Sequence, residues 1–183
     1  YSLIANTVDD AAGEAFDKGA RLLGLPYPGG PEIQKKSEGG DPSHINFPRP
    51  NVKNSEFNFS FSGLKTSLLY KLKKLDKINI EKNIRNIAAS YQEAIIDTLL
   101  DRIDRVAYKE EIEQISIAGG VAANKRFREK AKVLSFSKEI DIYFPKLNLC
   151  TDNAGMIAMA GYGKIKNGFC SKLSLEANPN LSL

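Results

Sequence analysis

The chain has 183 residues, 42% of them hydrophobic and 26% charged, and 26 basic against 22 acidic side chains give it a net charge of +4. That length allows one domain a proper core and is too short for two full ones. The mild basic excess tolerates a polyanionic partner without demonstrating one, and no apolar run approaches the roughly 18–20 residues of a membrane span.

Two cysteines, Cys150 and Cys170, form no C-x-x-C motif, which argues against a disulfide framework or a zinc site. A reducing cytoplasm fits best, and no signal peptide is expected. The sequence opens at Tyr1, without an initiator Met, and is expected to be a piece of a longer polypeptide.

Tyr1–Asn6 (YSLIAN) is short, apolar and compatible with a strand. Asp9 or Asp10 then offers an N-cap for a helix through Leu23, with Ala12, Ala15, Phe16, Ala20 and Leu23 on related faces and Gly24 at its stop. The stretch from Leu25 to Pro31 (LPYPGGP) is one that no helix or central strand is expected to cross. Residues 38–56 stay polar and Pro-rich, as an exposed connection would.

Phe57–Phe61 (FNFSF) alternates with period two and predicts a short strand, after which Ser62 caps a helix over Leu64–Leu75. The longest helix is predicted over Asn83–Lys109, where apolar positions step by three and four. Gln114–Ala118 (QISIA) predicts a buried-type strand ending in Gly119-Gly120, and Asn124 opens another helix. Ile140–Phe144 predicts a strand and Asp152–Lys166 the last helix. The final third thus reads strand–helix–strand–helix, an α/β pattern with crossovers on a parallel sheet. The expected division is residues 1–24 and 112–183 as parts of one α/β lobe, with 25–111 as a mostly helical insertion.

In open α/β sheets, ligands bind beyond the carboxyl ends of the strands. Gly119-Gly120 sits at such an end, where backbone amides can approach a nucleotide; a tight turn explains the pair equally. Asn124 can offer an amide donor and a carbonyl acceptor, or simply cap its helix. Asp152 follows the next strand and can cap a helix or hold an ion. Glu14 and Asp17 are either a solvated helix face or acceptors for ribose hydroxyls. Gly29-Gly30 reads as a rigid loop open to a ligand, or as a turn.

No hydrolytic triad can be built around His44, the only histidine, and no P-loop or zinc-protease motif occurs. Two basic clusters, Lys71/Lys73/Lys74/Lys77 and Lys125/Arg126/Arg128, could contact phosphates or be solvated helix faces.

Several of these stretches coincide with one known family. Asp9–Lys18 (DDAAGEAFDK), Leu22–Pro31 (LLGLPYPGGP), Phe47–Pro50 (FPRP), Phe59–Thr66 (FSFSGLKT), Ile87–Glu93 (IAASYQE), Ala118–Asn124 (AGGVAAN) and Cys150–Ala158 (CTDNAGMIA) occur in the order of the TsaD family. These are tRNA adenosine threonylcarbamoyltransferases, once labelled O-sialoglycoprotein endopeptidases, and the chain resembles their bacterial and organellar branch.

The resemblance implies the second lobe of an actin-like (ASKHA, ribonuclease-H-like) fold, with the N-terminal lobe missing. It also implies transfer of the threonylcarbamoyl group from threonylcarbamoyl-AMP to N6 of the adenosine beside the anticodon in ANN-decoding tRNAs. Position by position, Asp17, Gly30 and Asn124 match the family's adenylate-binding residues. Asp152 matches the carboxylate that binds one divalent metal, usually iron.

The family's two histidine ligands (H-x-x-x-H) and its serine–glycine–glycine loop have no counterpart here, so the piece alone is expected to be inactive. The partners implied are tRNA, a paralogous subunit and a P-loop ATPase, with no membrane. Two other readings stand beside this one. A non-catalytic actin-like scaffold would be expected to lose the C-T-D-N-A motif, and a glycoprotein endopeptidase has no nucleophile–base pair to support it.

Overall fold

Apolar side chains recurring every three or four residues build a helical body on which a small sheet is mounted. The structure, a computed structural model, describes residues 2–53 and 55–178 and divides into two compact units, Tyr1–Cys150 and Thr151–Leu183. In the first unit, helix α1 (Ala12–Leu22) buries Ala15, Phe16, Gly19 and Ala20. Gly24 follows at φ 69°, the left-handed position at which a glycine ends a helix without strain. Neither Asp9 nor Asp10 caps α1; its N-cap is Ala11, with no side-chain bond.

Helix α2 (Gly29–Ser37) starts inside the Leu25–Pro31 stretch without crossing it. Pro28 is its N-cap and Pro31 lies in its first turn, where no intrahelical donor is needed and proline is tolerated. No helix crosses the stretch, as expected, but its prolines and glycines start one that the sequence reading did not place.

Helix α3 (Ser62–Lys73) corrects a second expectation, because Ser62 is its first residue rather than its cap. The cap comes from Asp9, more than fifty residues away in sequence. Its Oδ1 accepts the N–H groups of Phe61 and Ser62 at 2.7 and 3.2 Å, and its Oδ2 accepts the hydroxyls of Ser60 and Ser62 at 2.6 and 2.7 Å. Partial burial opposes the charge, but these four bonds win and hold the Asp9 carboxyl down at about 2.

A depressed folded pKa stabilises above the unfolded value and fades as the pH falls through the folded one. Asp9→Ala is therefore expected to cost about 1 kcal/mol at neutral pH, as loss of an N-cap does. Paired urea melts of parent and variant should show that gap closing from about pH 4 toward about pH 2. A gap that stays constant over that range would mean the carboxylate is not the capping group.

Helix α4 (Lys77–Lys109) begins six residues before the predicted Asn83, capped by Asp76, whose side chain accepts the Asn79 N–H at 2.7 Å. Its centre is buried from Ile87 to Ile96. There Tyr91 donates its hydroxyl to the Ala15 carbonyl at 2.9 Å and meets Phe47 edge-on, with ring centroids 5.6 Å apart. The main core gathers Phe16, Ile33, Phe61, Leu64, Leu68 and Ile95 around this tyrosine.

The two strands expected over Tyr1–Asn6 and Phe57–Phe61 reduce to a single parallel bridge between Thr7 and Phe59. Tyr1 lies outside the described residues. Alternation makes a strand only where a partner lies alongside, and Leu3 is 80% exposed. Buried Arg102 fastens the loop before Phe59 through the carbonyls of Pro50 and Asn58.

Strand β1 (Gln114–Ser116), helix α5 (Lys125–Lys138) and strand β2 (Asp141–Tyr143) follow as expected. The strands pair in parallel, with Ile115 opposite Ile142. β1 is shorter than predicted and is not buried on both faces: Gln114 and Ser116 are exposed. Its one covered face meets α5, where Ile117 and Ile142 pack against Phe127 and Ala131.

In the second unit, helix α6 (Ala154–Lys166) is capped by Asn153, whose Oδ1 accepts the Met156 N–H at 3.1 Å. No helix among the described residues is long and apolar enough to cross a membrane.

Candidate functional site

The first part of the site is the junction of α1 and α2. Asp17 Oδ1 accepts the Gly29 N–H at 2.7 Å, so a side chain of one helix holds the start of the next. Gly29 is buried there because the helices touch: a Cβ would lie 2.6 Å from Asp17 Cα and 2.8 Å from the Phe16 carbonyl oxygen. Gly30 differs, since a Cβ on it would meet nothing within 4 Å. Pro31 has no N–H, so the first turn of α2 leaves the Gly30 N–H as its open donor.

Glu14 stands apart from Asp17. It is exposed and pairs with Lys18 at 2.9 Å, as a solvated helix face does.

The second part is the start of α5. Asn124 is buried and uses both ends of its amide. Its Oδ1 accepts the Phe127 N–H at 3.0 Å, which caps the helix, and its Nδ2 donates to Gln92 Oε1 at 2.8 Å. Gln92 in turn donates to Ser37 Oγ at 2.9 Å, and Ser37 donates to the Gln34 carbonyl at 2.7 Å. Gln34 Oε1 then accepts the Lys125 N–H at 2.7 Å. A closed polar lock thus joins α2, α4 and the N-terminus of α5, and it fixes Asn124 relative to the α1–α2 junction. Gly13 of α1 faces Val121 of the turn just before it, 3.9 Å from an ideal Cβ.

Beside the lock runs an ionic chain. Glu93 accepts Arg126 Nε at 2.9 Å and Lys130 Nζ at 2.5 Å; Lys130 also bonds Asp97, which binds Arg49. Burial works against the Glu93 charge, but the two cations hold its carboxyl below the usual glutamate range.

This accounts for most of the second basic cluster. Arg126 is paired with Glu93, and Arg128 donates to the carbonyls of Ala122 and Pro145, each at 2.7 Å, while stacking over Phe144. Sequence reasoning missed Gln92, Glu93, Gln34 and Ser37. The one signal for the first two was polar residues interrupting an apolar run in the middle of a long helix.

Gly119, at φ 90°, marks the end of the β1 segment and needs a glycine. The second unit holds Asp152, exposed and one residue before the cap, so the helix-cap role open to it in the sequence belongs to Asn153. A lone carboxylate suits a hard divalent cation. Among the described residues, however, no three of His, Cys, Asp or Glu come together, and His44 is exposed in a loop.

Comparison with known proteins is consistent with the motif reading. The family model of TsaD, tRNA N6-adenosine threonylcarbamoyltransferase, matches residues 1–159, a span that includes Asp17, Gly30, Asn124 and Asp152. The chain belongs to the TsaD family.

A protein of Thermosipho africanus with that same name is 52% identical over 99% of this chain and 54% of its own length. Its counterpart in Kosmotoga olearia is 51% identical over 100% of this chain and 54% of its own. One from Fervidobacterium nodosum is 50% identical over 98% and 53%. The chain spans about half the length of the curated relatives it matches.

Proposed function

We propose that the chain is part of a tRNA threonylcarbamoyltransferase acting on N6 of the adenosine beside the anticodon, with threonylcarbamoyl-AMP as donor. The observation that carries this is the lock from Asp17–Gly29 through Gln34–Lys125 to Asn124, which sets the three adenylate-matching positions on one hydrogen-bonded frame. In this reading Asp17 keeps Oδ2 for a ribose hydroxyl, because Oδ1 is held by Gly29. Gly30 presents its N–H, and Asn124 keeps its remaining amide hydrogen and lone pair for the nucleotide. The adenosine N6 forms a C–N bond to the carbamoyl carbon, the C–O bond to the adenylate phosphate breaks, and AMP leaves as N6 loses a proton.

Asp152 would supply one ligand to a divalent metal, iron in the family, whose two histidines would come from outside this sequence. Such an ion supplies Lewis-acid polarisation of a carbonyl when bound. We read the α/β portion as the second lobe of an actin-like ATPase fold, working in the cytoplasm with a paralogous subunit and a P-loop ATPase. The 183-residue chain alone would be inactive.

The test is reconstitution with tRNA, threonine, bicarbonate, ATP, the two partners and the adenylate-forming enzyme, read by nucleoside mass. Three proteins are compared: this chain, a version extended to its relatives' length, and Asp152→Ala in that extended version. The extended protein should be active and the chain alone silent. Asp152→Ala should lose about 100-fold or more, since disturbing even the outer shell of a metal site costs 10–100-fold. Parental activity in Asp152→Ala would remove the metal role and favour a scaffold. Full activity of the 183-residue chain would overturn its reading as an incomplete enzyme.

A further inference from the structure

The two basic clusters of the sequence have opposite fates in the fold. Arg126 and Arg128 are consumed by Glu93 and by backbone carbonyls. At the corner where α3 turns into α4, Lys71, Lys73, Lys74, Lys77, Lys82 and Arg85 are all exposed. Among the described residues, none of these six takes part in an ion pair, whereas Lys18, Lys109, Lys130 and Lys138 all do. The two acids of the stretch, Asp76 and Glu81, offset only part of these six positive charges.

Helix polarity explains half of this arrangement and sharpens the rest. Lys71, Lys73 and Lys74 sit at the C-terminal end of α3, where the helix dipole favours cations. Lys77 is the first residue of α4, beside the cap Asp76, at an end where the dipole disfavours a cation. Folding therefore gathers like charges across a tight turn, against a helix N-terminus. Exposed Tyr70, at 59%, gives the same corner an aromatic face for a base or ribose.

We infer that the α3–α4 corner is the docking surface for the phosphate backbone of the tRNA substrate. The inference rests on the tRNA-modifying reading above and adds to it the surface by which RNA is held. An extended polyanion neutralises cations spread over two helix ends and the intervening turn, and its bases account for Tyr70 as well.

The test is fluorescence anisotropy on the full chain with 5′-labelled transcript of an ANN-decoding tRNA, from 50 to 200 mM salt. The parent is compared with Lys71→Gln/Lys74→Gln/Lys77→Gln and with a charge-matched control, Lys35→Gln/Lys132→Gln/Lys146→Gln. All six positions are exposed, and circular dichroism checks that both variants fold.

The corner variant should bind about tenfold more weakly, and its salt slope should fall by about 2 to 3, the amount for three lost phosphate contacts. The control should stay within about twofold. Equal loss in both variants would overturn the inference, as would no binding by the parent. A parent that prefers phosphatidylserine vesicles to tRNA would also overturn it, assigning the corner to a lipid surface. Binding is read without turnover, so a negative result here leaves the transferase reading to its own activity test.

Discussion

Gln92→Leu is expected to lower the stability of the first unit by about 2–3 kcal/mol, because it strands the Asn124 side-chain amide in a buried site. The glutamine is 5% exposed and Asn124 8%, so both ends of the lost bond are buried. Ser37 loses less, since its own hydroxyl still donates to the Gln34 carbonyl. Ser37→Ala should therefore cost about 1 kcal/mol, and the Gln92–Ser37 double mutant should fall short of additivity because the two share one bond.

A second readout separates orientation from stability. With Gln92 gone, Asn124 retains its capping bond to Phe127 but loses the contact that fixes the rotation of its amide. On the proposed adenylate-binding reading, the Kd for AMP, measured by calorimetry on folded protein, should rise about tenfold. The energy at stake is a misdirected hydrogen bond, in the range of about 1–1.5 kcal/mol. Urea melts superimposable on those of the parent would dissolve the lock as a structural element. An unchanged Kd would confine Gln92 to stability.

What was legible in the sequence is local. Asn124 opens α5 and caps it through a residue three positions on, so its signal lies within one helical turn. The body of α4 shows in its spacing, but its first six residues carry only Ile78 and Ile80 as apolar positions, two apart rather than three or four, and Asp76 as a cap marks the true start. The parallel pair β1–β2 follows from the strand–helix–strand order.

What was not legible depends on contacts between distant residues. Asp9 was read, as an alternative to Asp10, as the cap of the helix that follows it and instead caps α3, because the chain returns to it at Ser60–Ser62. Asp17 and Gly30 were legible as positions matching a family motif, while the Gly29 contact that organises them was not. The segment Phe57–Phe61 shows the converse, since its alternation is real but among the described residues it makes only a single bridge, to Thr7.

Gly29→Ala and Gly30→Ala, one residue apart, should have opposite consequences. At Gly29 the new methyl would fall 2.6 Å from Asp17 Cα, 2.7 Å from Ala20 Cβ and 2.8 Å from the Phe16 carbonyl oxygen. Two of these three atoms are backbone, so no rotamer change relieves them, and α2 must move away from α1. The expected cost is about 3 kcal/mol, the upper part of the range for overpacking, and the Asp17–Gly29 bond stretches as the helices part.

At Gly30 the methyl meets open space, and alanine suits a helix better than glycine by about 1 kcal/mol, so the variant should be as stable as the parent or slightly more so. Its effect should fall on ligand approach instead. A methyl beside the one open donor of the α2 turn blocks a nucleotide from reaching it, and AMP affinity should drop about tenfold or more. Thermal melts and AMP calorimetry on both variants decide the matter. A Gly30→Ala protein that melts normally and binds AMP like the parent would take Gly30 out of the site. A Gly29→Ala protein within about 0.5 kcal/mol of the parent, as for an ordinary surface change, would mean that α1 and α2 do not depend on their closest contact.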